Sequence, residues 1–283
     1  MFYGPQVRRV VLVVLDGLRA DAIPVLGLRY WQELAEIGAS SLCGTTVAPS
    51  VTAAAMASLF TGASPEVHGL RSDRFHLPRR RGPVHPLPRV LADAGLPTSG
   101  FVRRLPWMFR GLGRRMARHL GVHCTCFMGR SSREILFAAW EQLASQERGL
   151  IFLHWPDADL AGHEHGWMSD EYARAAHRMD QALGFLAALA DVERDPGTLL
   201  IALADHGGGG ANLHDHDSDH PLDRTIPLLL VGASVTGEEL DEPSLLDVPA
   251  TVLWALGVPL PASYVGRPLC EAFTPAAMAV AQG

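Results

Sequence analysis

The stretch that decides the fold is Arg9-Val10-Val11-Leu12-Val13-Val14-Leu15-Asp16-Gly17. Its uninterrupted apolar run, rich in β-branched residues, is typical of a strand that is buried on both faces. The run is too short to cross a bilayer, and no small-residue cleavage site of a signal peptide accompanies it. It ends in Asp16, so it delivers a carboxylate to the end of a buried strand.

Strand and helix patterns alternate along the rest of the chain. The predicted strands are 40–47, 98–102, 150–154, 199–204 and 226–231, and the predicted helices are 26–38, 52–60, 87–95, 131–146, 169–190 and 245–256. Ser131 and Glu134 have the spacing of a capping box at the start of one helix. The alternation predicts one α/β domain over residues 1–283, with a mostly parallel central sheet and helices on both faces. A small cap or loop region is expected around 71–130.

Composition excludes several classes of function. All 24 cations of the chain are arginines, which rules out a lysine Schiff base and a P-loop lysine. The net charge of −6 gives no reason to expect a nucleic acid polymer as partner. The four cysteines lack the spacing of zinc fingers and of C-x-x-C pairs, so we expect them to be reduced and the protein to be cytoplasmic, with no membrane partner. No sequence feature predicts an oligomeric state.

Arginines are concentrated in two segments, 71–88 and 103–118. The first is also rich in proline and histidine and is predicted to be an exposed loop, and the second has the pattern of a helix. We expect a solvated basic face. The alternative is a rim that attracts anions near an active site.

Carboxylates and imidazoles follow three of the predicted strands. Asp16 ends the first strand, the segment 157–163 contains Asp159 and His163, and Asp205-His206 ends the strand 199–204. In an open α/β sheet, ligands bind beyond the carboxyl ends of the strands, so these groups should meet at one edge. Mixed aspartate and histidine ligands suit zinc or manganese. Further candidates follow closely: His214, Asp215, His216, Asp217, Asp219 and His220.

A candidate nucleophile lies elsewhere. Thr52 follows Pro49-Ser50-Val51 and opens an alanine-rich helix. The free N–H groups and the dipole of a helix N-terminus favour an anion, which suits a hydroxyl that attacks phosphorus. The alternative from this stretch alone is that Thr52 simply caps the helix.

These motifs occur in a characteristic order. They are Asp16, Thr52, Asp159-x-x-Gly162-His163, Asp205-His206-Gly207 and a later histidine before Ile226-Pro227, with supporting stretches at 62–69 and 245–257. The set resembles the alkaline phosphatase superfamily, and in particular its nucleotide pyrophosphatase/phosphodiesterase type. The resemblance runs from Asp16 to about Leu269 and implies the three-layer core of that superfamily.

The resemblance also implies roles for individual residues. Asp159, His163 and a downstream histidine would hold one divalent metal ion, while Asp16, Asp205 and His206 would hold a second, with Thr52 bridging towards both. Zinc is expected, with manganese as the alternative. His216 best fits the downstream ligand by its distance to Ile226-Pro227, with His214 as second choice and His220 also open.

Two positions depart from the family pattern. Asp217 stands where a glycine usually follows the last histidine, and Ala55 stands where we expect an asparagine in the first turn after the nucleophile. The segment around Thr52 lacks the Pro and Arg that follow a sulfatase nucleophile.

The resemblance implies a hydrolase of small phosphate esters, a phosphodiesterase or nucleotide pyrophosphatase, that forms a covalent phospho-threonine intermediate at Thr52. A phosphomonoesterase or a phosphomutase would use the same core. Two readings without catalysis also stay open: a metal- or nucleotide-binding relative, and a metal buffer built on the histidine-rich segment 206–220.

Overall fold

Seven strands form one sheet in this computed structural model, which describes residues 7–73, 80–232 and 234–274. The strands are β1 (Arg9–Leu15), β2 (Ala39–Thr45), β3 (Thr98–Arg103), β4 (Cys124–Gly129), β5 (Gly149–Trp155), β6 (Thr198–Leu203) and β7 (Thr225–Val231). Their order across the sheet is β2-β7-β6-β1-β5-β3-β4. β1 lies in the centre and pairs in parallel with β5 and β6. β7 pairs antiparallel with both of its neighbours, so it alone runs against the other six strands.

Eleven helices connect these strands in the described residues. They are α1 (Ala22–Leu26), α2 (Arg29–Ile37), α3 (Thr52–Thr61), α4 (Pro65–His68), α5 (Leu87–Asp93), α6 (Trp107–His119), α7 (Ser132–Ser145), α8 (Asp157–His165), α9 (Asp170–Leu189), α10 (Pro221–Arg224) and α11 (Asp247–Ala255), followed by a 3₁₀ turn at Cys270–Ala272. Every residue of β1 and β6 is buried, so both faces of the sheet centre are covered. This confirms the predicted α/β class with a mostly parallel sheet.

The predicted helices and strands are all present, with ends that shift by at most three residues. The capping box of α7 is only half formed. Ser131 Oγ accepts the Glu134 N–H at 3.4 Å, but the Glu134 carboxylate reaches past Ser131 to the N–H of Arg130 at 2.9 Å. β4 and α8 were missed, because β4 mixes small, polar and apolar residues and α8 is rich in the aspartate and histidine that usually mark loops.

The region around 71–130, where we expect a small cap, also supplies β3 and β4 to the sheet. Helix α6 of the same region contains no buried residue and packs near β4 at the sheet edge. Part of the arginine-rich loop, residues 74–79, lies outside the described residues. No helix in the described ranges is long and apolar enough to span a membrane.

Candidate active site

The sheet directions bring all of the candidate segments to one edge. β1, β2, β5 and β6 run in the same direction, so their carboxyl ends lie together, and β7 begins where they end. Asp16 follows β1, Thr52 follows β2, Asp159 follows β5 and Asp205 follows β6. The loop that returns from β6 to β7 carries His216 along the same edge.

Gly17 allows β1 and α8 to approach closely at this edge. Its φ of 70° is in the left-handed region, and a Cβ there would come within 2.8 Å of Asp159 Cα. The N–H of Asp159 donates to the carbonyl of Asp16 at 3.0 Å. Two buried side chains hold Gly17 from the other side, since Trp167 Nε1 and the Tyr172 hydroxyl each donate to its carbonyl at 3.0 Å. Backbone contacts therefore set the spacing between Asp16 and Asp159.

One group of candidate ligands combines α8 with the β6–β7 loop. Asp159 and His163 are four residues apart on α8 and so share one face of the helix. Asp159 Oδ1 lies 3.2 Å from His163 Nε2 and 3.6 Å from His216 Nε2. The structure thus brings together the three residues that the resemblance assigns to one metal ion, with His216 as the downstream histidine.

The second group lies deeper, at the ends of β1 and β6. His206 Nε2 is 3.3 Å from Asp16 Oδ1 and 3.6 Å from Asp205 Oδ2, and all three residues are buried. His206 also stacks on His216 with ring centroids 3.7 Å apart and planes inclined by 10°. The two groups are therefore adjacent, and the stacked imidazoles of His206 and His216 lie between them.

Backbone carbonyls orient the imidazoles of both groups. Nδ1 of His216 donates to Ser50 at 2.7 Å, Nδ1 of His206 to Gly207 at 2.9 Å, and Nδ1 of His163 to His214 at 2.9 Å. Each contact leaves Nε2 directed at the carboxylates. A hydrogen bond at one ring nitrogen that fixes the other is the usual arrangement of histidine metal ligands.

The other two histidines of the 206–220 segment have different roles. His214 is exposed, and its Nδ1 is engaged with the His163 carbonyl at 3.2 Å. His220 caps α10 by accepting the Leu222 N–H at 3.1 Å. A metal buffer that uses the whole segment would need these side chains to converge. They do not, whereas Asp16 and Asp159, which such a buffer would not need, lie at the centre of the cluster.

Thr52 stands at the mouth of the cluster. It is the first residue of α3, and its Oγ1 lies 3.1 Å from His206 Nε2. No side chain caps α3; instead, the next N–H, that of Ala53, donates to Asp73 Oδ1 at 2.8 Å. A carboxylate oxygen therefore occupies an anion position beside the Thr52 hydroxyl.

Position 55 is where the sequence departs from the family pattern, and the structure agrees that Ala55 makes no polar contact with a ligand. Ala55 is fully buried in the hydrophobic core, so the first turn of α3 cannot present a polar side chain to a ligand there. The polar side chain that reaches the α3 N-terminus is Asp73, which is distant in sequence. No pattern within α3 could have identified it.

The buried carboxylates of the cluster concentrate negative charge, which favours positive charge nearby. Burial, together with the charges of Asp205 and Asp159, raises the pKa of Asp16 well above its usual range. Burial disfavours a charged His206, but Asp205 and Asp16 outweigh it and raise the pKa of His206 to about 10. The Asp159 carboxylate, 3.2 Å from His163 Nε2, raises the pKa of His163 to about 9. Two protonated imidazoles thus compensate the buried carboxylates in part.

The donor atoms fit divalent cations. Asp16 Oδ1, Asp159 Oδ1 and Asp205 Oδ2 are buried oxygens without a hydrogen-bond partner in the described part of the chain. Buried carboxylates are normally paired or coordinated to a metal, because their desolvation is otherwise costly. The atoms of Asp159, His206 and His216 that could bind a metal lie within 4.8 Å of one another. Oxygen and imidazole donors together suit zinc or manganese.

His154 is a site residue that the sequence reasoning missed. It is the penultimate residue of β5, and its Nε2 is buried, without a hydrogen-bond partner, 3.4 Å from Asp16 Oδ2. With Asp16 and Asp205 it forms a further group whose potential ligand atoms lie within 4.8 Å of one another. A signal was present, because this histidine ends an otherwise apolar strand at the same edge as Asp16.

This chain is similar to several known proteins. Parts of two curated proteins match about half of this chain. A human GPI ethanolamine phosphate transferase 3 catalytic subunit is 28% identical over 143 residues, and a 2,3-bisphosphoglycerate-independent phosphoglycerate mutase of Synechococcus sp. is 30% identical over 154 residues. The matched parts span only 13% and 28% of those relatives, so the chain corresponds to a fraction of their length.

Solved structures show the same fold. Murine ectonucleotide pyrophosphatase/phosphodiesterase 5 superposes with a TM-score of 0.71 at 14% identity and covers 94% of this chain and 100% of its own. An alkaline phosphatase superfamily protein of Vibrio parahaemolyticus has a TM-score of 0.72 at 18% identity, with 98% and 73% covered.

The family described as type I phosphodiesterase / nucleotide pyrophosphatase matches residues 10–89 and 114–230, which is more than half of the chain. These segments include both groups of candidate ligands and Thr52. The phosphodiesterase-type resemblance drawn from the motifs is confirmed, and this chain belongs to the type I phosphodiesterase / nucleotide pyrophosphatase family.

Proposed function

We propose that the protein is a metal-dependent phosphodiesterase that uses Thr52 as a covalent nucleophile. The observation that carries the proposal is the position of the Thr52 hydroxyl, 3.1 Å from His206 at the entrance to a cluster of buried, unpartnered carboxylate oxygens. Asp159, His163 and His216 would hold one cation, and Asp16, Asp205 and His206 a second, with His154 beside them. Such cations, zinc or manganese, would lower the pKa of the Thr52 hydroxyl and offset charge on the phosphate oxygens.

The chain's own groups would act as follows. A phosphate oxygen takes the place of the Asp73 carboxylate at the Ala53 N–H, which orients phosphorus towards Thr52. Thr52 Oγ1 loses its proton and forms a bond to phosphorus, while the bond to the leaving alcohol breaks and that alcohol takes a proton. Water then attacks phosphorus, releases the phosphate monoester and restores the hydroxyl. His206 and His216, held at Nδ1 by backbone carbonyls, keep the surrounding carboxylates in place.

The decisive experiment is Thr52→Ala, with Thr61→Ala at the other end of α3 as matched control. We expect Thr52→Ala to lose diester hydrolysis by roughly 10³-fold or more and to keep its metal content. A wild-type sample quenched in acid during turnover should carry, on the peptide that contains Thr52, one phosphoryl group that still bears the retained ester group of the diester. Full activity of Thr52→Ala, or a phosphoryl group on another residue, would refute the covalent route. The inactive form of the murine relative, which carries a threonine-to-alanine substitution, is consistent with this expectation.

Paired chromogenic diester and monoester substrates test the type of ester. We expect the diester to be hydrolysed faster. Preference for the monoester would assign the protein to the phosphatases, and the absence of turnover with metal bound would favour a binding role.

A phosphomutase is the second candidate, because several relatives are phosphoglycerate mutases. A mutase would pass the phosphoryl group from Thr52 to a second hydroxyl of its substrate instead of to water. Hydrolysis in ¹⁸O-labelled water separates the two: a hydrolase places the label in the phosphate product, whereas a mutase product remains unlabelled.

We also propose a reducing compartment such as the cytoplasm, since all four cysteines are free thiols.

A further inference from the structure

Helix α6 presents an apolar stripe to solvent. The exposed fractions of Met108, Leu112 and Met116 are 61%, 58% and 57%, and their spacing of four residues places them on one side of the helix. Trp107, at the start of the helix, is 78% exposed. Single exposed apolar residues are ordinary, but a continuous stripe usually marks an interaction surface.

Arginines line the helix beside this stripe. Arg114, Arg115 and Arg118 are exposed, and Arg115 is three residues from Leu112, so it borders the stripe directly. Within the part of the chain that the structure describes, none of the three pairs with a carboxylate. A groove beside Leu112 and Met116 is also bordered by Arg80 and Arg89. Arg89 anchors the end of α6 through a 2.6 Å hydrogen bond to the His119 carbonyl.

The positive charge is local and uncompensated in sequence. Residues 94–133 contain eight arginines and no aspartate or glutamate, although the whole chain carries a net charge of −6. Gly113 lets α6 pack closely on the rest of the fold, because a Cβ there would touch Leu105 and Phe127. The helix therefore lies flat on the fold with its apolar and cationic sides both available.

We propose that α6 docks on an anionic lipid surface. Met108, Leu112 and Met116 would enter the boundary between headgroups and acyl chains, and Arg114, Arg115 and Arg118 would contact lipid phosphates. An amphipathic helix with arginines beside large apolar residues binds membranes in this way without spanning them. The contact is peripheral, and it replaces our sequence-based expectation of no membrane partner.

The exposed apolar stripe of α6 favours a lipid surface over other anionic partners. Nucleic acid would use the arginines but would leave the methionines and Leu112 in water. Phe137, 80% exposed on α7, and Phe185, 67% exposed on α9, form another apolar patch, but few arginines border that patch.

Helix α6 follows β3, which runs parallel to β5, so α6 starts at the carboxyl ends of the strands, where the candidate active site lies. Docking would bring that edge near the lipid surface.

Co-sedimentation of the full chain with vesicles tests this proposal. We expect binding to phosphatidylcholine vesicles that contain about 30% phosphatidylglycerol, little binding to pure phosphatidylcholine, and weakening by salt. Each arginine near an anionic surface changes the partition coefficient about fivefold, so R114Q/R115Q/R118Q should lower it about 100-fold. M108S/L112S/M116S should lower it about tenfold or more.

Matched controls separate α6 from general effects. R29Q/R174Q/R194Q removes the same charge from exposed sites elsewhere, and F137S removes an exposed aromatic side chain outside α6; both should bind like wild type. All variants should retain the circular dichroism and the thermal unfolding midpoint of the wild type.

Three results would overturn the proposal. They are equal binding to neutral and anionic vesicles, no binding to either, and wild-type binding by R114Q/R115Q/R118Q. If α6 instead covers a second copy of this chain, M108S/L112S/M116S would dissolve a dimer while no vesicle binds. Retention on heparin without vesicle binding would assign the arginines to a polyanion. Because the readout is binding, the result does not depend on the proposed hydrolytic activity.

Discussion

Asp16→Asn should make the protein more stable without metal and less stable with metal than the wild type. Asp16 is only 4% exposed, and its Oδ1 has no hydrogen-bond partner among the described residues. Burial and the charges of Asp205 and Asp159 raise its pKa. A carboxyl whose pKa is raised in the folded state destabilises that state as the pH rises above its usual pKa. Asparagine cannot ionise, so near neutral pH this cost is absent from the variant.

The size of the effect without metal follows from the distances. Potential ligand atoms of Asp16 and Asp205 lie within 4.8 Å, where two unit charges repel by about 3.5 kcal/mol at an effective dielectric constant of about 20. Attraction to a protonated His206 at 3.3 Å, about 5 kcal/mol on the same scale, exceeds this repulsion, but burial and the charge of Asp159 also disfavour the Asp16 carboxylate and keep its pKa raised. We therefore expect a net gain of about 1–2 kcal/mol. Unfolding 283 residues carries an entropy of about 0.6 kcal/mol/K, so the midpoint should rise by about 2–3 °C.

Metal should reverse this order. Free zinc at about 100 times its Kd stabilises the folded wild type by about 2.7 kcal/mol per site, or about 4–5 °C. Asp16→Asn should lose that gain at the site it shares with Asp205 and His206. With metal, the variant should therefore melt below the wild type.

Scanning calorimetry of chelator-treated protein, with and without added zinc or manganese, measures both midpoints. The matched control is Asp217→Asn, an exposed aspartate next to His216, which should behave like the wild type in both conditions. The reasoning is wrong if Asp16→Asn gains as much from metal as the wild type. It is equally wrong if the variant loses the same number of degrees in both conditions, since Asp16 would then act only through packing.

Three further changes test other contacts. Asp73→Asn removes a negative charge beside Thr52, but the asparagine oxygen can still accept the Ala53 N–H, so the KM for anionic esters should fall by roughly 3–10-fold. Asp93→Asn is the control and should leave KM unchanged; an unchanged KM in both variants would exclude Asp73 from the anion position. Arg9→Met should lower the free energy of unfolding in urea by about 3–5 kcal/mol, because the buried guanidinium donates to carbonyls at the ends of α7 and α9. Arg8 is exposed, so Arg8→Met should lower it by less than about 1 kcal/mol, and equal losses in the two variants would contradict this prediction. The carboxylate of Asp180 accepts N–H groups in the first turn of α2, so Asp180→Ala should lower the free energy of unfolding by about 1–2 kcal/mol and speed amide hydrogen exchange in that turn. Unchanged exchange there would refute the capping role of Asp180.

Much of the fold was predictable because its strands are continuous apolar runs. β1, β6 and β7 are buried almost throughout, and such runs identify themselves without knowledge of their neighbours. β4 escaped prediction because Cys124–Gly129 mixes small, polar and apolar residues at the sheet edge. Helix α8 escaped because its helical structure depends on packing against α9 and not on local propensity.

The candidate site was predictable where a residue follows a strand. Asp16, Asp159 and Asp205 were assigned to one edge because parallel strands end together, and the structure places them there. His216 was preferred over His214 and His220 for its distance to Ile226-Pro227, and the folded loop places His216 beside Asp159. Asp73 was missed because it joins the site through a neighbour that is distant in sequence, whereas His154, at the end of an apolar run, could have been identified.

By itself, the sequence determined the α/β class, the family and the residue types that can hold a cation, because burial patterns and motif order are local properties of the chain. Only the tertiary structure decided which histidine joins Asp159, that Ala55 is in the core, and that α6 leaves its apolar stripe uncovered. These outcomes depend on which distant segments occupy the space around a side chain. That space exists only once the sheet has formed and the loops at its edge have been placed.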